Sequence, residues 1–275
     1  MSDNPYQSPD ASMPPPEAPG APWHEPSACP AGRGSNWFFD GWNLFLKSPG
    51  MLVVLVLLTA VCALVVVWIP FLGGLLITLF TPHFRAGFYL ALQHAANDEE
   101  VSISDLFAPL QKPIPLLVVG ALYLASLVVL GLIVGVFALG GMGLGGMHAM
   151  MSMQPGMAAG DFHPATAGLT MLLGMLIALA LWIPVLMAFL FAPILVFLHD
   201  VEPIAALKLS FKACMRNVTP FLIWGLVWLV ALIVVGLISA FIPIVGWLLG
   251  IAFALVALPF YAATIYQAWL DIFIR

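Results

Sequence analysis

The chain has 275 residues, of which 63% are hydrophobic and only 8% are charged. Soluble domains carry roughly 25% charged residues, so this composition excludes a protein that is kept in solution by its own surface. The formal net charge is −5, but the acidic residues lie outside the long apolar segments, which contain no carboxylate. We therefore expect an integral membrane protein whose partner is the bilayer with its anionic lipids, and no nucleic acid.

The first 34 residues form a proline-rich leader with nine prolines. They contain neither the basic start nor the apolar stretch of a secretory signal peptide. Such a segment buries too little apolar surface to offset the entropy lost on ordering. We predict a disordered cytoplasmic tail over residues 1–34, followed by one membrane domain over residues 35–275.

Six segments after the leader are long and apolar enough to cross a membrane, which takes about 20 apolar residues. The predicted spans are Met51–Ile69, Phe71–Ala95, Pro115–Leu139, Ala167–Leu198, Phe221–Phe241 and Pro243–Leu270. Two amphipathic helices, at residues 36–47 and 202–217, precede the first and fifth spans and are expected to lie in the membrane interface. The sequence thus predicts an all-α, polytopic transmembrane bundle.

The basic residues orient this bundle. Seven of the eight lie on the same side as the N-terminus when six spans are drawn: Arg33, Lys47, Lys112, Lys208, Lys212, Arg216 and Arg275. Because basic connections stay in the cytoplasm, both termini are predicted to be cytoplasmic. The methionine- and glycine-rich loop over residues 140–166 is then predicted to face the periplasm of a bacterial inner membrane.

Two parts of the chain share one order of features. Residues 36–96 and 202–271 each contain a surface helix, a span, an Ile-Pro-x-x-Gly turn and a second span with an internal proline. The spacing from turn proline to span proline differs, at 12 and 16 residues. We interpret this as a weak parallel duplication; the alternative is two unrelated hairpins with similar helix boundaries.

Three short motifs resemble a family of uncharacterised bacterial integral membrane proteins. They are DGWNLFxxxP at 40–49, IPFLGG at 69–74 and ALKLSFKACMRN at 206–217. That family is similar to other six-span domains of unknown function and to the membrane domain fused to some glycerophosphodiester phosphodiesterases. The resemblance covers residues 36–275 and implies a helical inner-membrane protein, with no established catalytic or binding residues.

Arg85 is the one basic residue inside a predicted span. A basic side chain near the bilayer centre costs about 2.5–3.5 kcal/mol on insertion scales. Pro82 lacks an N–H, so the carbonyl of Thr78 loses its helical partner, and we expect this carbonyl, Thr81 and His83 to help satisfy the guanidinium. Arg85 then lines a path for an anion or a lipid, or alternatively its side chain extends to the interface.

The methionine-rich segment contains a candidate metal site. Thioether sulfur is a soft ligand that favours Cu(I), and the candidate ligands are Met147, His148, Met150, Met151 and Met153. Methionine is also an adaptable hydrophobic residue, so plain packing is the alternative. No other cofactor is predicted.

Lipid contact and self-association have candidates of their own. Lys208, Lys212 and Arg216 recur at every fourth residue of one helix, and each would attract anionic headgroups by about 1 kcal/mol. Two small-residue pairs, Gly131 with Gly135 and Gly246 with Gly250, permit close helix approach and are candidates for self-association.

The sequence favours a non-enzymatic function. It contains no phosphate-binding GxxxxGK[ST] loop, no HExxH and no GxSxG elbow, and the absence of carboxylates from the spans disfavours an ion-coupled pump. We expect a multi-pass inner-membrane protein that organises lipid or partner proteins. The alternatives are a transporter or channel for an anionic or lipid-like solute that uses Arg85, and a Cu(I)-binding module on the periplasmic side.

Overall fold

The computed structural model describes residues 23–70, 72–152, 164–241 and 243–275, and every regular element within these ranges is helical. Its α-helices are α1 Arg33–Lys47, α2 Pro49–Val67, α3 Gly73–Ala96, α4 Ile103–Phe107, α5 Pro113–Ser152, α6 Pro164–Leu190, α7 Ala192–Leu198, α8 Pro203–Arg216, α9 Val218–Phe241 and α10 Pro243–Phe273. A short 3₁₀ turn, Ala108–Gln111, joins α4 to α5.

The described residues contain six stretches that are long and apolar enough to span a membrane, at α2, α3, α5, the α6–α7 pair, α9 and α10. This confirms the predicted all-α bundle with six spans. The fourth span is interrupted, because α6 ends at Leu190 and α7 begins at Ala192. Pro193 at the start of α7 accounts for the interruption, since a proline cannot donate the helical hydrogen bond to the residue four positions earlier.

The six spans form three hairpins, α2–α3, α5–α6 and α9–α10, and a short helix precedes each of them in the chain. Each short helix packs mainly against the previous hairpin: α4 against α3, α8 against α6, and α1, closing the cycle, against α9 and α10. The hairpins are therefore linked to one another through the helices at their ends. The predicted duplication of 36–96 and 202–271 stays a prediction, although both segments contain the same order of helices.

Helix α1 shows how closely these elements approach. Trp37, Leu44 and Phe45 are buried on its inner side, whereas Phe39 on the other side is 65% exposed. Gly41 lies against α10, and a Cβ at this position would come within 2.9 Å of the backbone N and Cα of Thr264. Only glycine fits here, so this contact fixes the depth at which α1 sits on α10.

Two boundaries predicted from the sequence are wrong. Residues 23–32, here called the strap, were assigned to the disordered leader but hydrogen-bond to the end of α10: the amides of His24 and Ser27 donate to the carbonyls of Phe273 and Ile272, each at 2.9 Å. The loop predicted over residues 140–166 is shorter, because α5 continues to Ser152 and α6 begins at Pro164. The helix continues there although residues 140–146 contain five glycines, which have low helix propensity.

We predict that Gly41→Ala destabilises the protein, because the added methyl group clashes with the backbone of Thr264. Overpacking of this kind typically costs about 1–3 kcal/mol. Gly50→Ala is the matched control, since a Cβ at Gly50 would meet no atom within 4 Å. Thermal unfolding in detergent should show a lower melting temperature for Gly41→Ala alone; equal melting temperatures for the two variants would contradict this packing.

Candidate functional site: a cavity beside an intramembrane arginine

Helices α2, α3 and α10, with Leu110 of the 3₁₀ turn, line a half-open cavity of about 600 Å³ within the membrane-spanning part of the bundle. This volume falls in the range of about 300–1,000 Å³ that is usual for small-molecule sites. The lining is almost entirely aliphatic and aromatic. Its polar side chains are Thr59, Cys62, Thr81, Arg85, Tyr89 and Tyr261.

Arg85 is the charged residue in this lining, and its guanidinium is held by backbone carbonyls. Nη1 donates to the carbonyl of Phe189 at 3.2 Å, and Nη2 donates to the carbonyl of Leu190 at 3.0 Å. Both carbonyls belong to the last turn of α6, where the fourth span breaks. Arg85, on α3, thus caps the C-terminal end of α6.

The break leaves these carbonyls without helical partners. Pro193 lacks the N–H that would otherwise bond to Phe189, four residues earlier. The amide of Ile194 donates instead to the carbonyl of Phe191 at 3.0 Å, so it does not serve Leu190. Because no water in the hydrocarbon replaces a missing donor, the guanidinium supplies what the interrupted helix lacks.

Helix α8 stabilises the same break from the opposite side. The hydroxyl of Ser210 accepts a hydrogen bond from the amide of Phe191 at 3.0 Å and donates to the carbonyl of Met187 at 2.7 Å. Ser210 is completely buried. The interruption is therefore stabilised by hydrogen bonds from side chains of two other helices.

The charge of Arg85 has no countercharge within the part of the chain that the structure describes, where no Asp or Glu forms an ion pair with it. The phenol groups of Tyr89, Tyr123 and Tyr261 surround the guanidinium. Arginine presents five N–H donors; the two carbonyls and the Tyr89 hydroxyl, which also hydrogen-bonds to Arg85, leave donors for a further acceptor. The arrangement suits an anionic group with an apolar chain, since carboxylates and phosphates bind guanidinium strongly and the cavity walls are apolar.

The side chains of the other two residues of the predicted intramembrane site have hydrogen-bond partners elsewhere. The hydroxyl of Thr78 donates within its own helix to the carbonyl of Gly74 at 2.8 Å. His83 is buried, and its Nε2 lies 3.0 Å from the carbonyl of Pro113 on α5. The guanidinium is held by acceptors from the broken fourth span, and the help expected from the Thr78 carbonyl, Thr81 and His83 stays a prediction.

The predicted headgroup residues on α8 are partly engaged within the protein. Lys212 Nζ lies 2.5 Å from a carboxylate oxygen of Glu25 in the strap. Arg216 Nη1 donates to the carbonyl of Pro26 at 2.5 Å. Lys208 is exposed, so two of the three cations hold the strap.

The methionine cluster is described only in part. Met147, His148, Met150 and Met151 lie on the C-terminal extension of α5, a helix rather than a loop, and Met153 lies outside the described residues. Cu(I) binding stays a prediction.

The two glycine pairs differ in their surroundings. Gly246 packs inside the α9–α10 hairpin, where a Cβ would lie 2.2 Å from Cα of Ser239. For Gly131, Gly135 and Gly250, a Cβ would meet no atom within 4 Å. The self-association predicted for these pairs stays a prediction.

Asp271, which was not predicted as a site residue from the sequence, organises the end of the bundle where α1 meets the last turn of α10. Its carboxylate accepts hydrogen bonds from Arg33 Nε at 2.7 Å, from Trp37 Nε1 at 2.7 Å and from Arg275 Nη1 at 3.2 Å. The side chain is only 7% exposed. The sequence feature that could have indicated this role is a single carboxylate at the end of a long apolar helix.

Comparison with known proteins identifies a relative of this chain. No family model matches the chain, and no solved structure matches it. A probable inner membrane protein of Burkholderia thailandensis is 32% identical over 204 residues, which cover 72% of this chain and 73% of that protein. The chain belongs to the family of that inner membrane protein. Together with the six apolar helices, this membership identifies a multi-pass membrane protein and confirms the resemblance to an uncharacterised membrane family.

We predict that Arg85→Met weakens the broken span, because two buried carbonyls lose their donors. Each unsatisfied acceptor costs about 1–3 kcal/mol. Lys208→Met, which also removes one cation but from an exposed position, is the control. Hydrogen exchange of the amides in α7 should accelerate in Arg85→Met and not in Lys208→Met. Unchanged exchange in both variants would show that the guanidinium does not stabilise the break.

Proposed function

We propose that this protein is a non-enzymatic, multi-pass inner-membrane protein that binds an anionic lipid or a lipid-like amphiphile in the cavity beside Arg85. One observation carries the proposal: a guanidinium without a paired carboxylate lies at the wall of an otherwise apolar cavity inside the membrane-spanning bundle. An anionic headgroup satisfies the charge, and apolar walls accept an acyl chain at little desolvation cost.

The polar groups of the cavity favour binding over chemistry. The lining contains no histidine and no carboxylate that would act as a general base. A small hydrophilic anion would lose its hydration against aliphatic walls and gain only one cation in return. An amphiphile avoids that loss, because its chain needs no hydration.

A transporter for the same kind of amphiphile is the second candidate function. The observation that favours it is the interruption between α6 and α7. The carbonyls at this interruption accept hydrogen bonds from Arg85, whose side chain also lines the cavity. Discontinuous helices at the binding site are a feature of several transporter folds. Binding is common to both functions; movement of the amphiphile between leaflets distinguishes the transporter.

We also propose that both termini lie in the cytoplasm. The proposal rests on the positive-inside rule and on the basic residues of α1, α8 and the connections: Arg33, Lys47, Lys112, Lys208, Lys212, Arg216 and Arg275. The organising role toward lipid or partner proteins that the sequence favours would then act at the inner leaflet.

For lipid binding, we predict that the purified protein retains phosphatidylglycerol in preference to phosphatidylcholine in native mass spectrometry. Ala63→Phe, which places a ring in the cavity lining, should abolish this retention, and Arg85→Lys should weaken it because a lysine lacks the bidentate geometry. Ala180→Phe is the matched control, on an exposed part of α6 outside the lining. Equal retention by the two phenylalanine variants would refute the cavity as the lipid site.

For orientation, reporter fusions in a bacterial host provide the test. Alkaline phosphatase fused after residue 150 should be active, and green fluorescent protein fused after residue 275 should fluoresce, because the first needs the periplasm and the second the cytoplasm. The opposite pattern at both positions would reverse the proposed topology.

A further inference from the structure

Helix α8 presents three different faces. Its buried face contains Ala206, Ser210 and Ala213, all completely inaccessible. A second face exposes the apolar residues Ile204, Phe211 and Met215. The cations Lys208, Lys212 and Arg216 follow the edge of this exposed apolar face. An amphipathic helix with cations beside an exposed apolar stripe is typical of one lying at the headgroup level of a membrane.

The strap covers two of these three cations with anionic and carbonyl oxygens. Glu25 supplies a carboxylate oxygen to Lys212, and Pro26 supplies its carbonyl to Arg216, both at 2.5 Å. The hydrogen bond and the positive charge of Lys212 lower the pKa of Glu25, so its carboxylate stays ionised at neutral pH. These are the interactions that the phosphate oxygens of an anionic headgroup offer to lysine and arginine.

The contacts of the strap differ in burial along its length. At its outer end, the Glu25–Lys212 pair is open to solvent, with side chains 72% and 41% exposed, and exposed ion pairs contribute little to stability. At its inner end, the buried Asn217 accepts from the amide of Cys29 at 2.7 Å and donates to the carbonyl of Ser27 at 2.8 Å. The outer contacts are thus open to competition.

We propose that α8 is a binding surface for the headgroups of anionic lipids, and that the strap and those headgroups compete for Lys212 and Arg216. Lys208 is exposed and makes the first contact. One exposed ion pair and one contact with an anionic leaflet are of similar strength. A bilayer rich in anionic lipid therefore frees Glu25 and Pro26 from the two cations and loosens the adjoining strap as far as Cys29, whereas a zwitterionic bilayer leaves the strap in place.

Cys29 is a native reporter for release of the strap. Burial and the nearby Asp271 raise the pKa of the Cys29 thiol, so the closed strap reacts slowly with a maleimide. Burial raises the pKa of Cys214 to about 12, which keeps that thiol unreactive. Cys62→Ala removes the remaining cysteine.

The experiment measures the rate of maleimide labelling at Cys29 in the full chain with Cys62→Ala, in nanodiscs of phosphatidylcholine with and without phosphatidylglycerol. We expect labelling to be severalfold faster with phosphatidylglycerol. Glu25→Gln should accelerate labelling in phosphatidylcholine alone and reduce the response to phosphatidylglycerol. Glu100→Gln, which removes an exposed carboxylate elsewhere, is the control and should behave like the parent.

Two outcomes would overturn the proposal. One is a labelling rate of the parent protein that is the same in both lipid compositions. The other is a full response to phosphatidylglycerol in the double variant Lys212→Gln, Arg216→Gln, which would show that headgroups act somewhere else. The parent comparison decides the question even where a variant fails to fold, and cavity variants such as Ala63→Phe should leave the response unchanged.

Discussion

The two hydrogen bonds from Arg85 to the carbonyls of Phe189 and Leu190 are the constraint on which the rest of this bundle depends. A helix interrupted within hydrocarbon must find donors from protein, since lipid offers none. The guanidinium meets that need from α3, and Ser210 meets it from α8. The position of three helices and the uncompensated charge beside the cavity both follow from this one arrangement.

The spans were predictable from the sequence because hydrophobic length is a local property. The partners of Arg85 were not predictable, because the acceptors lie 104 and 105 residues away. Pro193 predicts that the carbonyl of Phe189 lacks its helical donor, but the nearby sequence does not indicate which helix supplies another donor. Thr78 and His83, chosen for their proximity in sequence, find nearer partners of their own.

The strap shows the same limitation in a different form. A proline-rich segment with few apolar residues is typical of disorder when judged by its own composition. Residues 23–32 are ordered instead by groups from distant parts of the chain, chiefly Asn217 and the final turn of α10. Order that depends on such distant polar contacts leaves no periodic pattern for a sequence-based argument to find.

The cyclic packing of short helices on hairpins has a consequence for biosynthesis. Helix α1 is synthesised before α9 and α10, yet its buried side, with Trp37 and Gly41, packs against those two helices. The contacts of α1 therefore stay incomplete until α10 has been synthesised. Docking of the α9–α10 hairpin then completes the ring of contacts. A chain truncated before residue 218 would lack the surface on which α1 packs.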